Sequence, residues 1–189
     1  MNLFLNALTK NSKLILFNEN KEILKQKDFE IMWNESEKLI GIIDDFLSEN
    51  NTNYNDLENI VVVAGPGSFT GVRTIVLLIN TINFVIKKNI TSLNFFDLFD
   101  TYPIIKKSSK RDSFVKKAKE SKIEIILNTD IKDYLEKQNI KTIYWEVNED
   151  FFDYLEISSI IDYDKVIKNI NFDTKKLIDP IYIKKPSIS

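Results

Sequence analysis

The chain has 189 residues, 43% of them apolar, enough for one core-bearing domain or two small lobes sharing a core. It contains no His and no Cys, which excludes Ser-His-Asp and Cys-His triads, thiolate nucleophiles, disulfide scaffolds and His- or Cys-ligated metal centres. A net charge of −2 is too balanced for a nucleic-acid binder driven by its own field, so carboxylate, Lys, Tyr or backbone chemistry remains, or none.

No run approaches the ~20 apolar residues of a membrane-spanning helix. Met1 to Leu5 lacks the basic flank and long apolar continuation of a secretory signal, so no membrane or export role is expected. Nearly all the basic residues are Lys, Arg occurring only at Arg73 and Arg111. In an Ile-, Lys- and Asn-rich chain that reflects codon usage, and Lys-rich stretches carry little functional weight.

Residues 2–8, 13–18 and 22–27 are short, β-rich segments separated by turn-type residues at Lys10-Asn11-Ser12 and Asn18 to Lys21, which predicts a three-stranded meander. A helix follows over 34–49, with Asn34 or Ser36 as its cap and Glu35 and Glu37 near its positive end. Its apolar residues Leu39, Ile40, Ile42, Ile43, Phe46 and Leu47 cover about 160°, wider than the ~100° stripe of a surface helix. Asn59 to Val63 is a continuous apolar run, as in a parallel strand buried on both faces. A second helix is expected over 69–88. The first half therefore reads β-β-β-α-β-α, an α/β layout. Beyond a boundary near Asp100–Pro103, strands are expected at 102–106, 113–117, 123–127 and 142–146, and helices at 130–138 and 163–169. The end, Asp179 to Pro186, reads as extended between its prolines.

Two features stand out. Three of the four glycines, Gly65, Gly67 and Gly71, cluster where the apolar strand turns into the second helix, with Ser68 or Thr70 placed to cap it. One reading is a phosphate site at a helix start, with Arg73 adding a bidentate contact. The other is a tight turn with close packing. The spacing matches neither a Walker loop nor G-x-G-x-x-G. In the second helix, Val72, Ile75, Val76, Ile79, Ile82 and Ile86 form a core face, extended by Leu78 and Val85. Leu77 and Phe84 lie nearly opposite, flanked by Arg73, Asn80 and Lys87 on one side and Thr74, Thr81 and Lys88 on the other. An apolar ridge between polar rows has the composition of an interface, unless the C-terminal part covers it. Acidic pairs at Asp44-Asp45 and Glu149-Asp150 read as solvated surface. Lys106-Lys107-Ser108-Ser109-Lys110-Arg111 reads as a basic loop that could touch an RNA backbone. Phe95-Phe96, Tyr144-Trp145 and Phe151-Phe152 read as packing aromatics.

Gly65-Pro66-Gly67-Ser68-Phe69-Thr70-Gly71-Val72-Arg73, after an apolar strand and opening a helix, resembles the signature of the TsaB (YeaZ) family of tRNA threonylcarbamoyladenosine biosynthesis proteins. Leu3 to Thr9 and Asp179-Pro180-Ile181-Tyr182-Ile183-Lys184 are weaker echoes, and the likeness covers roughly residues 1–100. It implies an actin-like (ASKHA, ribonuclease-H-like) α/β fold in two lobes, 1–100 and a shortened 101–189. It implies a non-catalytic cytoplasmic subunit, with no catalytic residue and no metal site of its own, that binds and activates a TsaD-like threonylcarbamoyl transferase. A TsaE-like ATPase would dock on that pair, the isolated chain could pair with itself, and tRNA would be contacted only through the complex. No cofactor would be held tightly by this chain, with ATP and Mg²⁺ confined to the complex. The interface implied uses the first two helices, here Leu39, Ile43, Phe46, Arg73, Leu77, Asn80, Thr81 and Phe84. The chain departs from the family at Asn6, where relatives carry Asp; at Glu35-Ser36, where many have His-Ser or His-Thr; and at Lys184, where they have Arg. Two rival readings stay open: a degenerate actin-like nucleotide-binding phosphotransferase or ATPase using Gly65, Gly67, Ser68, Thr70, Gly71 and Arg73, and a homodimeric interaction module.

Overall fold

The computed structural model describes residues 1–9, 12–31, 37–138, 142–143, 156–157 and 161–184. The expected meander is present as β1 (Asn2–Asn6), β2 (Ser12–Phe17) and β3 (Ile23–Phe29), antiparallel in sequence. The β2–β3 turn closes when Glu22 N–H donates to Asn18 Oδ1 at 2.9 Å and Lys21 N–H to Asn18 O at 3.0 Å. Lys10 and Asn11 of the first turn lie outside the described residues. β1 is buried at every position, whereas β3 is an outer strand, with Lys25 exposed on it and Lys27 bonded to Glu49, a common way to protect a sheet edge.

The first helix, α1, spans Lys38–Glu49. The expected caps Asn34 and Ser36, and Glu35, lie outside the described residues, and Glu37 at the N-cap makes no side-chain cap. β4 (Asn59–Val63) pairs parallel with β1, Val62 opposite Leu5. After α2 (Phe69–Ile86), the chain forms β5 (Asn89–Leu93), parallel to β4. This strand is missing from the sequence reading, because Asn89-Ile90-Thr91-Ser92-Leu93 has only two aliphatic side chains and no clear alternation. Pairing creates it: β4 lines one side, and on the other Ile90 N–H donates to Lys175 O at 2.8 Å.

The sheet order is β3-β2-β1-β4-β5. Both helical crossovers, β3-α1-β4 and β4-α2-β5, step the same way across it, so right-handed connection puts α1 and α2 on one face. Register assigns the two faces. Leu3, Leu5, Leu14, Leu16, Ile60 and Val62 share one, and Phe4, Ile15, Phe17, Val61 and Thr91 the other. The second face is covered by the chain's end. Tyr163, which opens α4 (Tyr163–Lys168), meets Phe4 edge-on at 5.6 Å, Phe172 stacks on Phe17 at 6.2 Å, and Asp173 N–H donates to Thr91 Oγ1 at 2.8 Å. Ile167, Ile170 and Ile178 thereby join the core of the first sheet, although they belong to the segment expected to form a second lobe.

The middle of the chain forms a second, antiparallel sheet of β6 (Ile104–Lys107), β7 (Asp112–Lys116) and β8 (Glu124–Leu127). Its strands alternate between two environments. Ile104 and Phe114 enter the main core, while Ile105 and Val115 pack with Ile131 and Leu135 of α3 (Ile131–Lys137). β9 (Thr142–Ile143) and β10 (Glu156–Ile157) pair in parallel. The expected strand beyond 143, Glu149-Asp150, Tyr144-Trp145 and Phe151-Phe152 lie outside the described residues, as do Lys185 and Pro186. Phe95 and Phe96 are fully buried, as packing aromatics should be.

Candidate functional site

The glycine turn is filled by the chain itself. Ala64 O accepts the Ile181 N–H at 2.8 Å, and Gly65 O accepts the Phe95 N–H at 2.6 Å. Gly65 has φ +131°, a conformation open to glycine, and a Cβ there would collide with the Ile181 carbonyl. A Cβ on Gly67 would stand 3.2 Å from both Leu8 Cδ2 and Val72 Cγ2. Ser68 caps α2, its Oγ accepting the Gly71 N–H at 3.2 Å. The Phe69 ring at the helix start stacks on Tyr182 at 5.2 Å. Each of these features serves close packing of the turn against the chain's own end, which favours the structural reading over the phosphate site. Thr70 and Arg73 remain exposed beside it. Among the described residues no group of three or more acidic side chains is placed to hold a metal ion.

Asn6, at the end of β1, is fully buried. Its Oδ1 accepts the Leu8 N–H and its Nδ2 donates to the Tyr163 hydroxyl, both at 3.2 Å. The Lys106 ammonium enters the same region, donating to Leu8 O at 2.7 Å and lying 3.9 Å from the centroid of the Phe95 ring. Lys106 is only 2% exposed, so its placement on a basic surface loop is corrected; Lys107, Lys110 and Arg111 are the exposed part. Strand parity explains this, because Lys106 pairs with Phe114 and shares its core-facing side with Ile104.

The second candidate is the α2 ridge. Val72, Ile75, Val76 and Ile79 are buried, as expected of the core face. Leu77 and Phe84 are 63% and 79% exposed, although the end of the chain lies beside the helix at Asn80. Val85, expected to extend the core face, is corrected: it is 76% exposed and joins the open surface. Several large apolar side chains left open on one helix make it a candidate interaction surface. The expectation that no run approaches a membrane-spanning length is corrected for α2, which is long and apolar enough, by length and composition, to cross a membrane; here it is the crossover helix between two parallel strands.

Three expected interface residues are corrected. Leu39, Ile43 and Phe46 are buried in the core, because the middle of the wide α1 stripe lies on the sheet. The exposed apolar residue of that helix is Ile40. Asn80 is half-buried and engaged with its own chain, its Nδ2 donating to Ile178 O at 2.9 Å and its Oδ1 accepting the Ile178 N–H at 3.0 Å. Thr81 is exposed, its hydroxyl donating to Leu77 O at 2.8 Å. Asn83, which sequence reasoning passed over, is buried and makes three hydrogen bonds, to Lys88 N, Lys88 O and Lys176 O. An amide on the core side of an otherwise aliphatic helix was the available signal.

The pair Asp44-Asp45 is exposed. Asp44 Oδ1 accepts from the Tyr54 hydroxyl at 2.6 Å, and burial together with that carboxylate raises the Tyr54 phenol above its ordinary range. Asp112, by contrast, is buried, which pushes its carboxyl up. Hydrogen bonds from Lys184, Ser109 and Ser108 outweigh this and hold it below the usual carboxylate value.

Residues 32–98 match the model of a family described as TsaD: tRNA N6-adenosine threonylcarbamoyltransferase. Among solved structures, the chain is similar to YeaZ from Pseudomonas aeruginosa, with a TM-score of 0.52 and 15% identity over 66% of this chain and 63% of that one. A second structure, of an uncharacterized protein with similarity to peptidase YeaZ from Pseudomonas aeruginosa, aligns with a TM-score of 0.52 and 15% identity over 66% of this chain and 62% of the other. The chain thus spans less than two thirds of the length of either. No curated protein matches it by sequence. The fold is YeaZ-like and actin-like, a mixed sheet flanked by helices, as the glycine-turn resemblance implied.

Proposed function

We propose that the chain is a non-catalytic partner subunit in tRNA threonylcarbamoyladenosine modification, docking on a TsaD-like transferase through α2. The observation that carries this is the open ridge of Leu77, Phe84 and Val85 on a YeaZ-like fold. An exposed apolar ridge costs solubility in an isolated chain and is relieved when a partner covers it. The match of residues 32–98 to the transferase family supports a paralogous partner of similar fold, whose equivalent helix would meet this one. Arg73 and Thr81 border the ridge as its polar rim. In this reading the isolated chain self-associates weakly through the same ridge and the transferase displaces the second copy. A TsaE-like ATPase, ATP with Mg²⁺, and tRNA join only the assembled pair, in the cytoplasm.

The test is size-exclusion chromatography of the full chain mixed with the TsaD-like paralogue from the same genome. Phe84→Asp or Leu77→Asp should abolish the complex while leaving the circular dichroism spectrum and melting temperature intact, since both side chains are exposed. An unchanged complex with either folded variant overturns the assignment. Tight ATP binding by the lone chain, lost on Gly67→Val, would favour the nucleotide-binding alternative instead.

A further inference from the structure

The end of the chain runs as a strap beside α2. From Asp173 it follows the outer edge of β5, with Lys175 paired to Ile90. It then passes along α2 in the opposite direction to the helix. Asn83 holds Lys176 O at 2.8 Å, Asn80 holds both backbone groups of Ile178, and Tyr182 stacks on Phe69. Ile181 N–H is bonded to Ala64 O, and Lys184 ends the path in an ion pair with Asp112 of β7. Leu177 sits between the two asparagine anchors. Ile178 beside it is buried, but Leu177 is 61% exposed. Its backbone neighbours are pinned on both sides, so it cannot turn inward without breaking those bonds.

The helix geometry places Leu177 next to the ridge. At 100° per residue, Asn80 lies about 60° from Leu77 and about 40° from Phe84, on the strap's side. The ridge also needs enlarging. Even at the roughly 150–250 Å² of a large aromatic side chain apiece, these three apolar side chains fall short of the ~800 Å² that each partner buries in a standard interface. Leu177, with the half-open rings of Tyr182 and Phe69, extends the apolar surface along the strap.

We infer that the strap, residues 176–182, is the second wall of the docking surface, and that Leu177 contacts the apolar helix face of the partner. This rests on the proposed docking through α2 and adds the strap to it. Asn80 is then a positioning residue: it holds Leu177 at the ridge through the Ile178 backbone.

The test measures affinity of the full chain for the TsaD-like paralogue by calorimetry, with Phe84→Asp, Leu177→Asp, Asn80→Ala and the Leu177→Asp/Asn80→Ala double variant. Leu177→Asp should weaken binding about tenfold, typical of a contributing interface side chain, with an unchanged melting temperature. Asn80→Ala should weaken binding and speed amide exchange at Ile178. In the double variant, Asn80→Ala should cost nothing further, since its effect acts through Leu177. If Leu177→Asp binds like the wild type while Phe84→Asp does not bind, the strap is not a wall and docking through α2 stands. If Phe84→Asp also binds like the wild type, docking through α2 falls and the strap inference falls with it.

Discussion

Gly65→Ala and Gly41→Ala make the same chemical change and should have opposite effects. Gly65 has φ +131°, where an L-residue is strained by about 1–3 kcal/mol. The added Cβ would also meet the Ile181 carbonyl, 3.1 Å from its carbon and closer to its oxygen. Backbone is the obstacle rather than a flexible side-chain tip, so the strap must lift and the Ile181-to-Ala64 hydrogen bond is lost. That bond contributes about 0.5–1.5 kcal/mol. The expected destabilisation is about 2–4 kcal/mol, a fall on the order of 10 °C in melting temperature for a chain of this size. Gly41 lies within α1, and a Cβ there meets nothing within 4 Å. Removing a flexible helix-interior glycine should stabilise by about 0.5–1 kcal/mol. Urea unfolding measures both, and amide exchange at Ile181 locates the first. If Gly65→Ala unfolds within about 0.5 kcal/mol of the wild type, or loses stability with Ile181 exchange unchanged, the packing account of the glycine turn is wrong.

Two further outcomes follow from single residues. Asn83→Ala should destabilise by about 1–3 kcal/mol, because it removes a buried amide and strands the Lys88 and Lys176 backbone groups that it bonds; urea unfolding of a variant that loses less than about 1 kcal/mol would show that water replaces the amide. The Asp112 carboxyl is held below its unfolded value, so its contribution is complete above about pH 4 and is lost as pH falls through the lowered folded value. Exchange at Ile181 should therefore accelerate below about pH 4 beyond the intrinsic pH trend, and Asp112→Asn should remove that dependence; equal profiles for variant and wild type would refute the link between the ion pair and the strap.

Local pattern made much of this molecule legible. Leu3 to Leu5 and Val61 to Val63 read as strands because burial on both faces demands unbroken apolar runs. The glycine cluster marked the strand-to-helix turn, and the ridge of Leu77 and Phe84 was visible because a helix repeats every 3.6 residues whatever lies beside it. Contacts between distant segments decided the rest. Asn89 to Leu93 is a strand only because β4 and Lys175 flank it. Leu39, Ile43 and Phe46 have the same spacing whether a sheet or a partner covers them, and the sheet covers them. Lys106 is buried by its register against Phe114, which pairing alone determines. The strap that fills the glycine turn joins residues more than a hundred positions apart, and periodicity holds no information at that range: it records which side of an element is apolar, while the tertiary structure chooses what lies against it.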